Sequence, residues 1–222
     1  MKYVVFSDIH GNLLALNKML DETSGRYDGY IFCGDVMGYY NHPAEVIDLM
    51  QTMPNLMAVR GNHDADYIGQ KRCDLLYKKY GSSYRTKLTS CQLDYLKSLP
   101  EKIEKKINGK NICVFHGTPN DYLNGRCYPT NKDFASYHEG ITFFGHTHYR
   151  MIRLVNGKCI INPGSLGQPR DGKGFSYAIY DFVTDYCDFK TVEVNISQLH
   201  RDILANESNP RVIDYLVRKN IR

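Results

Sequence analysis

The sequence predicts an α/β fold with two sheets, and three observations predict it. Strand-like apolar runs alternate with helical periodicity over the first sixty residues. Hairpin signals dominate from Glu101 to Val194. Each of the first three strand-like runs leads into a polar, glycine-bearing loop, as expected where ligands gather beyond the carboxyl ends of parallel strands.

Taken in order, "KYVVF" reads as a short buried strand, "LLALNKML" as a helix, and "GYIFC" as a second strand. "HPAEVIDLM" starts a helix with Pro43 in its first turn, where the missing N–H has no partner to lose. "NLMAV" is a third strand. This β-α-β-α-β order predicts a parallel sheet with crossover helices. The loops that follow the three strands are "SDIHGN", "GDVMGYY" and "RGNHD".

From about 65 to 100 the pattern is helical, with "YIGQKRCDLLYKKY" and "SCQLDYLKSL" as amphipathic helices broken by "GSS". Their Lys and Arg residues are read as a solvated face, with a basic lid over a substrate as the alternative. Two segments alternate around Asn108-Gly109 and Asn156-Gly157, the signature of hairpins with primed turns. "FSYAIYDF" and "CDFKTVEV" form a further pair. The stretch 197–222 is helical and polar. One domain over residues 1–222 is the simplest reading, with a helical insert at about 65–100, a helical C-terminal tail at about 197–222, and a second, partly antiparallel sheet against the first.

Composition narrows the class. Of 222 residues 42% are apolar, enough for a core, and 23% are charged. A net charge of +4 is too small to argue for nucleic-acid binding and suits an anionic substrate. The seven cysteines, Cys33, Cys73, Cys91, Cys113, Cys127, Cys159 and Cys187, show no CxxC pair and are read as reduced thiols. No signal peptide opens the chain and no apolar run approaches the roughly 20 residues that span a bilayer. The expectation is a cytoplasmic protein with no membrane partner.

Five polar clusters follow apolar strands: Asp8-Ile9-His10, Gly34-Asp35, Gly61-Asn62-His63-Asp64, His116-Gly117 and Gly145-His146-Thr147-His148. Five of the eight histidines fall in them. In an extended segment residues i and i+2 point to one side, so Asp8 with His10, and His146 with His148, can each aim two ligands into one space. Imidazole and carboxylate without thiolate suit a borderline or hard divalent ion: Mn, Fe, Zn, Ni or Mg, with Mn favoured. Three carboxylates, five imidazoles and one amide exceed the needs of one tetrahedral ion. They fit two divalent ions sharing a bridging carboxylate, the arrangement that performs in-line displacement at phosphorus. Each cluster taken alone is also what a turn or cap uses; the ordered set carries the argument.

The ordered motifs D-x-H, G-D, G-N-H-D, H and G-H-T-H resemble those of the calcineurin-like metallophosphoesterase superfamily. "GDVMGYY" and "INPGSLGQPRDG" resemble a small prokaryotic, diadenosine-tetraphosphatase-like branch of it. The resemblance implies a four-layer α/β/β/α sandwich with two mixed β-sheets. By motif it places Asp8, His10 and His148 on one metal, Asn62, His116 and His146 on the second, and Asp35 between them. It implies that His63 stands over the leaving group as general acid and that Asp64 orients its ring; a further histidine ligand is the other reading of His63.

Asp35 is followed by "VMGYY", without the Asp-Arg-Gly of the superfamily's protein phosphatases, so a small phosphoester or nucleotide is expected as substrate. Tyr39, Tyr40 and Asn41 line the loop mouth, where a nucleobase can stack, although with 18 tyrosines in the chain an aromatic there is also unremarkable. Arg170 matches a phosphate's oxygens. Arg60 reads as structural, and Asn162 and Ser165 as braces. The expected activity is metal-dependent phosphodiester or nucleotide hydrolysis, with a phosphomonoesterase, a nuclease or a metal-binding scaffold as alternatives and a homo-oligomer left open. The absence of a dense basic stripe argues against nucleic acid.

Overall fold

Apolar residues in β1 (Lys2–Phe6) point both ways: Val4 and Phe6 face one core layer and Val5 another. That double burial is the mark of a central parallel strand. β1 pairs in parallel with β2 (Gly29–Phe32), and β2 with β3 (Leu56–Ala58). The crossovers are α1 (Leu13–Thr23) and α2 (Pro43–Thr52). Asn12 caps α1 by accepting from the Ala15 N–H, and Pro43 occupies the first turn of α2. The computed structural model describes residues 1–69 and 73–220, excepting the side chains of Cys73 and 218–220.

After β3 come α3 (Asn62–Ile68), α4 (Cys73–Tyr80), a 3-10 turn (Ser82–Arg85) and α5 (Ser90–Ser98). The loop expected at "RGNHD" is thus the start of a helix, with His63 and Asp64 in its first turn. The single helix expected over 67–80 is described in two pieces: α3 ends at Ile68 with Gly69 as its cap, α4 is described from Cys73, and the intervening Gln70–Arg72 lie outside the described residues. The end of the predicted tail, 221–222, lies outside them too.

The second sheet comprises β4 (Lys102–Ile107), β5 (Lys110–Phe115), β6 (Gly140–Phe143), β7 (Arg150–Val155) and β8 (Lys158–Pro163), in the order β4-β5-β6-β8-β7. Both predicted hairpins are present, with positive φ at Asn108 and Gly109 and at Asn156 and Gly157, as a type I′ turn requires. β9 (Ser176–Asp181) and β10 (Tyr186–Thr191) return to the first sheet, whose order is β10-β9-β1-β2-β3. α6 (Ile196–Asn206) and α7 (Pro210–Asn220) then pack through Leu199, Ile203, Val212 and Leu216 onto the core that α1 and α2 share.

The sheets face each other across an apolar layer in which Val5, Ile31 and Tyr180 meet Val114, Phe143 and Ile161. The two mixed sheets and the helical layer are those expected. The outer face of the second sheet, with Phe115, Phe144 and Met151, is covered by Cys127, Phe134 and Tyr137 of the 117–139 connection. That fourth layer is a run of turns, not a helix. Among the described residues, no helix is long and apolar enough to cross a membrane.

Candidate metal centre

Six strands end at one place. β1, β2 and β3 deliver Asp8, His10, Asp35 and Asn62; β5 and β6 deliver His116, His146 and His148; β8 leads into the loop carrying Gln168 and Arg170. The expectation that strand alternation co-aims Asp8 with His10, and His146 with His148, is corrected. All four lie past their strands with φ of 53°, 53°, 65° and 63°, and Asp35 has 69°. Each is in the left-handed region, which asparagine, aspartate and histidine tolerate better than other non-glycine residues. Such backbone persists where the surroundings over-determine it. Here Asp8 N–H donates to Gly34 O (2.9 Å), His10 N–H to Asp35 O (3.1 Å), and Gly167 N–H to Asp8 O (2.8 Å). Ser165 Oγ donates to Asp8 O, and Asn162 Nδ2 to Gly145 O, the bracing expected of both residues. Gly61 must lack a side chain, because a Cβ would lie 2.0 Å from Asp35 Oδ1.

Three of the histidines are held in one tautomer. Nδ1 of His10, His116 and His148 lies 2.7 Å from the carbonyl oxygens of Met37, Cys33 and Gln168 respectively. A carbonyl only accepts, so each Nδ1 carries the proton and each Nε2 presents a lone pair. These lone pairs converge. Nε2 of His148 is 3.2 Å from Nε2 of His10 and 3.2 Å from Asp8 Oδ1. Nε2 of His116 is 3.2 Å from Asp35 Oδ2, from Asn62 Oδ1 and from His146 Nδ1. Asp8 Oδ1 and His146 Nε2 are buried without a hydrogen-bond partner.

Three donor groups follow: Asp8–His10–His148, His10–Asp35–His63 and Asp35–His116–His146, each with its ligand atoms within 4.8 Å of one another. Asp35 belongs to two of them. Lone pairs facing lone pairs in a buried space repel unless a cation lies between them, so this donor set fits divalent metal.

Electrostatics among the side chains carry the same signature. Burial resists ionisation of Asp8, but His148, His116 and His10 outweigh it and hold its carboxyl well below the usual range. Burial raises Asp35 in spite of His116, and burial with neighbouring imidazoles pushes His10 and His63 well down. Burial and then His116 take His146 to about 3.

The role expected of Asp64 is corrected. Its carboxylate does not orient His63. Oδ1 accepts from the Val36 and Met37 N–H groups and Oδ2 from those of Asp35 and Gly61, at 2.9–3.1 Å. A side chain in the first turn of α3 folds back on its own helix start and the facing loop, as a capping residue does. The ring of His63 instead has Nδ1 2.6 Å from Tyr84 Oη. Nothing in "GSSYRT" marks that tyrosine beforehand.

Tyr39 stands edge-on to His10 at 4.9 Å and stacks on Tyr215 at 6.1 Å; Tyr80 is edge-on to His63 at 4.4 Å. Tyr80, Tyr84 and Tyr215 were not anticipated, because they come from the insert and the tail. Arg170 N–H donates to His148 O at 3.2 Å, which sets it beside the cluster. The amide atoms of Asn41 are buried without a hydrogen-bond partner. Arg60 pairs with Glu101 at 2.8 Å, a structural role.

The sequence pattern of the calcineurin-like phosphoesterase superfamily domain matches residues 1–185. The chain belongs to this superfamily. It is thereby a metallophosphoesterase, a hydrolase of phosphoric esters whose superfamily uses divalent metals. The phosphoesterase is 33% identical over 228 residues to an uncharacterised protein of Methanocaldococcus jannaschii, covering 91% of each chain. It is 26% identical over 188 residues to the "Probable metallophosphoesterase YsnB" of Bacillus subtilis, covering 83% of this chain and 86% of that one. The crystal structure of a metallophosphoesterase from Sphaerobacter thermophilus superposes with a TM-score of 0.80 at 29% identity, covering 99% of both chains.

Proposed function

We propose that this phosphoesterase is a binuclear, metal-dependent hydrolase of small phosphoesters, with diesters or nucleotide-type substrates preferred. The observation that carries the reading is the convergence of two donor groups, Asp8–His10–His148 and Asp35–His116–His146, which a third group joins through His10 and Asp35. Asp8, His10 and His148 would hold one cation, Asn62, His116 and His146 the other, and Asp35 both; Mn²⁺ is favoured. Two such cations supply a hydroxide at neutral pH and neutralise charge on the phosphoryl oxygens.

The chain's own groups do the rest. His63, within 5.0 Å ring to ring of His10, protonates the leaving oxygen from Nε2. Arg170 steadies a phosphoryl oxygen or a second phosphate. Tyr39 offers its ring to an aromatic leaving group. Burial of the donors excludes bulk water and strengthens each of these interactions. A cytoplasmic location accompanies this reading, supported by six described cysteines that are all unpaired.

The test is hydrolysis of bis(p-nitrophenyl) phosphate against p-nitrophenyl phosphate by chelator-treated protein refilled with Mn²⁺. Preference for the diester is expected. Preference for the monoester would make the protein a phosphatase, and activity on DNA alone a nuclease. Two bound metals with no hydrolysis of any of these would leave a binding scaffold.

A further inference from the structure

We propose that Tyr84 is the positioning residue of His63, and that the C-terminal pair α6–α7 holds Tyr84 there through Glu207. The proposal rests on the phosphohydrolase reading. His63 needs a partner that fixes its ring plane, and its neighbouring carboxylate is fully engaged with backbone N–H groups. Tyr84 Oη, 2.6 Å from Nδ1 on a ring only 2% exposed, is the partner the fold provides. Tyr80, edge-on at 4.4 Å, closes another side of the imidazole.

Tyr84 lies in the 3-10 turn Ser82–Arg85, which is anchored from two directions. Ser83 Oγ accepts from the Gly38 N–H at 2.8 Å, tying the turn to the Asp35 loop. The Glu207 carboxylate, 4% exposed, accepts from Ser82 N–H (2.6 Å), Ser82 Oγ–H (2.8 Å) and Asn209 N–H (2.7 Å). Asn209 Nδ2 donates to the carbonyls of Tyr77 and Lys78, which end α4. Glu207 and Asn209 lie beyond the stretch 1–185 that the superfamily pattern matches. The tail therefore completes the site of this chain.

In the step itself the P–O bond breaks, its electron pair stays on the leaving oxygen, and that oxygen takes a proton delivered through Nε2 of His63. Nδ1–H donates to Tyr84 Oη before and after, so the ring keeps its orientation, and water reprotonates Nε2.

The experiment compares wild type, Tyr84→Phe and Glu207→Gln on p-nitrophenyl and phenyl esters of whichever class the enzyme hydrolyses, with bound metal measured in parallel. In Tyr84→Phe, kcat for the phenyl ester, whose leaving group needs the proton, is expected to fall about 10- to 100-fold. For the p-nitrophenyl ester it stays within about threefold, with KM and metal content unchanged. Glu207→Gln shows the same pattern more weakly. The ¹⁵N resonance of His63 Nδ1 shifts in Tyr84→Phe. Equal losses on both esters, no loss on the phenyl ester, or an unmoved Nδ1 resonance would overturn the proposal while leaving the hydrolase reading intact. A metal-loaded wild type inactive on every ester would overturn both.

Discussion

Nε2 of His10 faces Nε2 of His148 across 3.2 Å, and each ring has its only proton committed to a backbone carbonyl through Nδ1. Two lone pairs at that distance in a buried space are a source of instability that a cation converts into attraction. Divalent ion should therefore stabilise the fold as well as activate it. At a free ion concentration 100 times Kd, one site contributes about 2.7 kcal/mol. For a chain of this size that is a rise in Tm of about 5–10 °C. Thermal melts after chelation and after Mn²⁺ addition check this; coincident melts would count against both sites.

Asp35 stands in two of the three donor groups, and its Oδ1 also accepts the His63 N–H at 2.9 Å. Asp35→Asn is expected to reduce bound metal to one ion or fewer. It should lower kcat/KM by about a thousandfold or more, the several kcal/mol that charge neutralisation at the reacting centre supplies. Metal analysis and turnover on the same sample decide it, and near-normal turnover would remove the shared-carboxylate arrangement.

Asp64 and His63 are adjacent yet should behave oppositely. Asp64→Asn turns one of the two acceptor oxygens into an NH2 donor that faces two backbone N–H groups, and is expected to cost about 2–4 kcal/mol of stability. It should leave the ratio of rates on p-nitrophenyl and phenyl esters as in the wild type. His63→Ala should keep the metals and slow the phenyl ester most. A rate ratio in Asp64→Asn that tracks His63→Ala would restore the carboxylate to a direct role on the ring.

His42 joins α2 to α6, with Nε2 2.8 Å from Asp202 and Nδ1 3.2 Å from Glu45. Burial disfavours its charge, but the two carboxylates outweigh burial and raise its pKa above the usual histidine value. A raised folded pKa means that the extra stability is fully present below the unfolded value near 6.5 and is lost as pH rises through the folded one. The half-exposed pair is worth at most about 1 kcal/mol. Denaturant melts of wild type and His42→Gln should differ at pH 5.5 and converge by pH 9; a constant difference would show that packing, not charge, is lost.

The donors themselves were legible in the sequence, because each follows an apolar strand and the chain order of Asp8, His10, Asp35, Asn62, His116, His146 and His148 is a pattern in one dimension. Their backbone was not. Extended geometry and a left-handed turn both put His10 near Asp8, and only the three-dimensional bonds to Gly34, Asp35 and Gly167 select the turn. Adjacency misled at Asp64, since neighbours on the first turn of a helix point about 100° apart. Tyr84 and Glu207 were invisible because their contacts join segments separated by 125 residues in one case and 21 in the other. The irregular cover over the second sheet has no periodicity for a sequence reading to find.

The donors come from both sheets: Asp8, His10, Asp35 and Asn62 from the first, His116, His146 and His148 from the second. Their separation is thus gauged by the thickness of the apolar layer between the sheets, where Phe143 meets Tyr180 edge-on at 5.4 Å. Those side chains touch no substrate and hold no ion, yet they act as the shim that sets the bite of the metal site. Trimming or swelling that layer is expected to change which ion the proposed site accepts, without altering any of the donors.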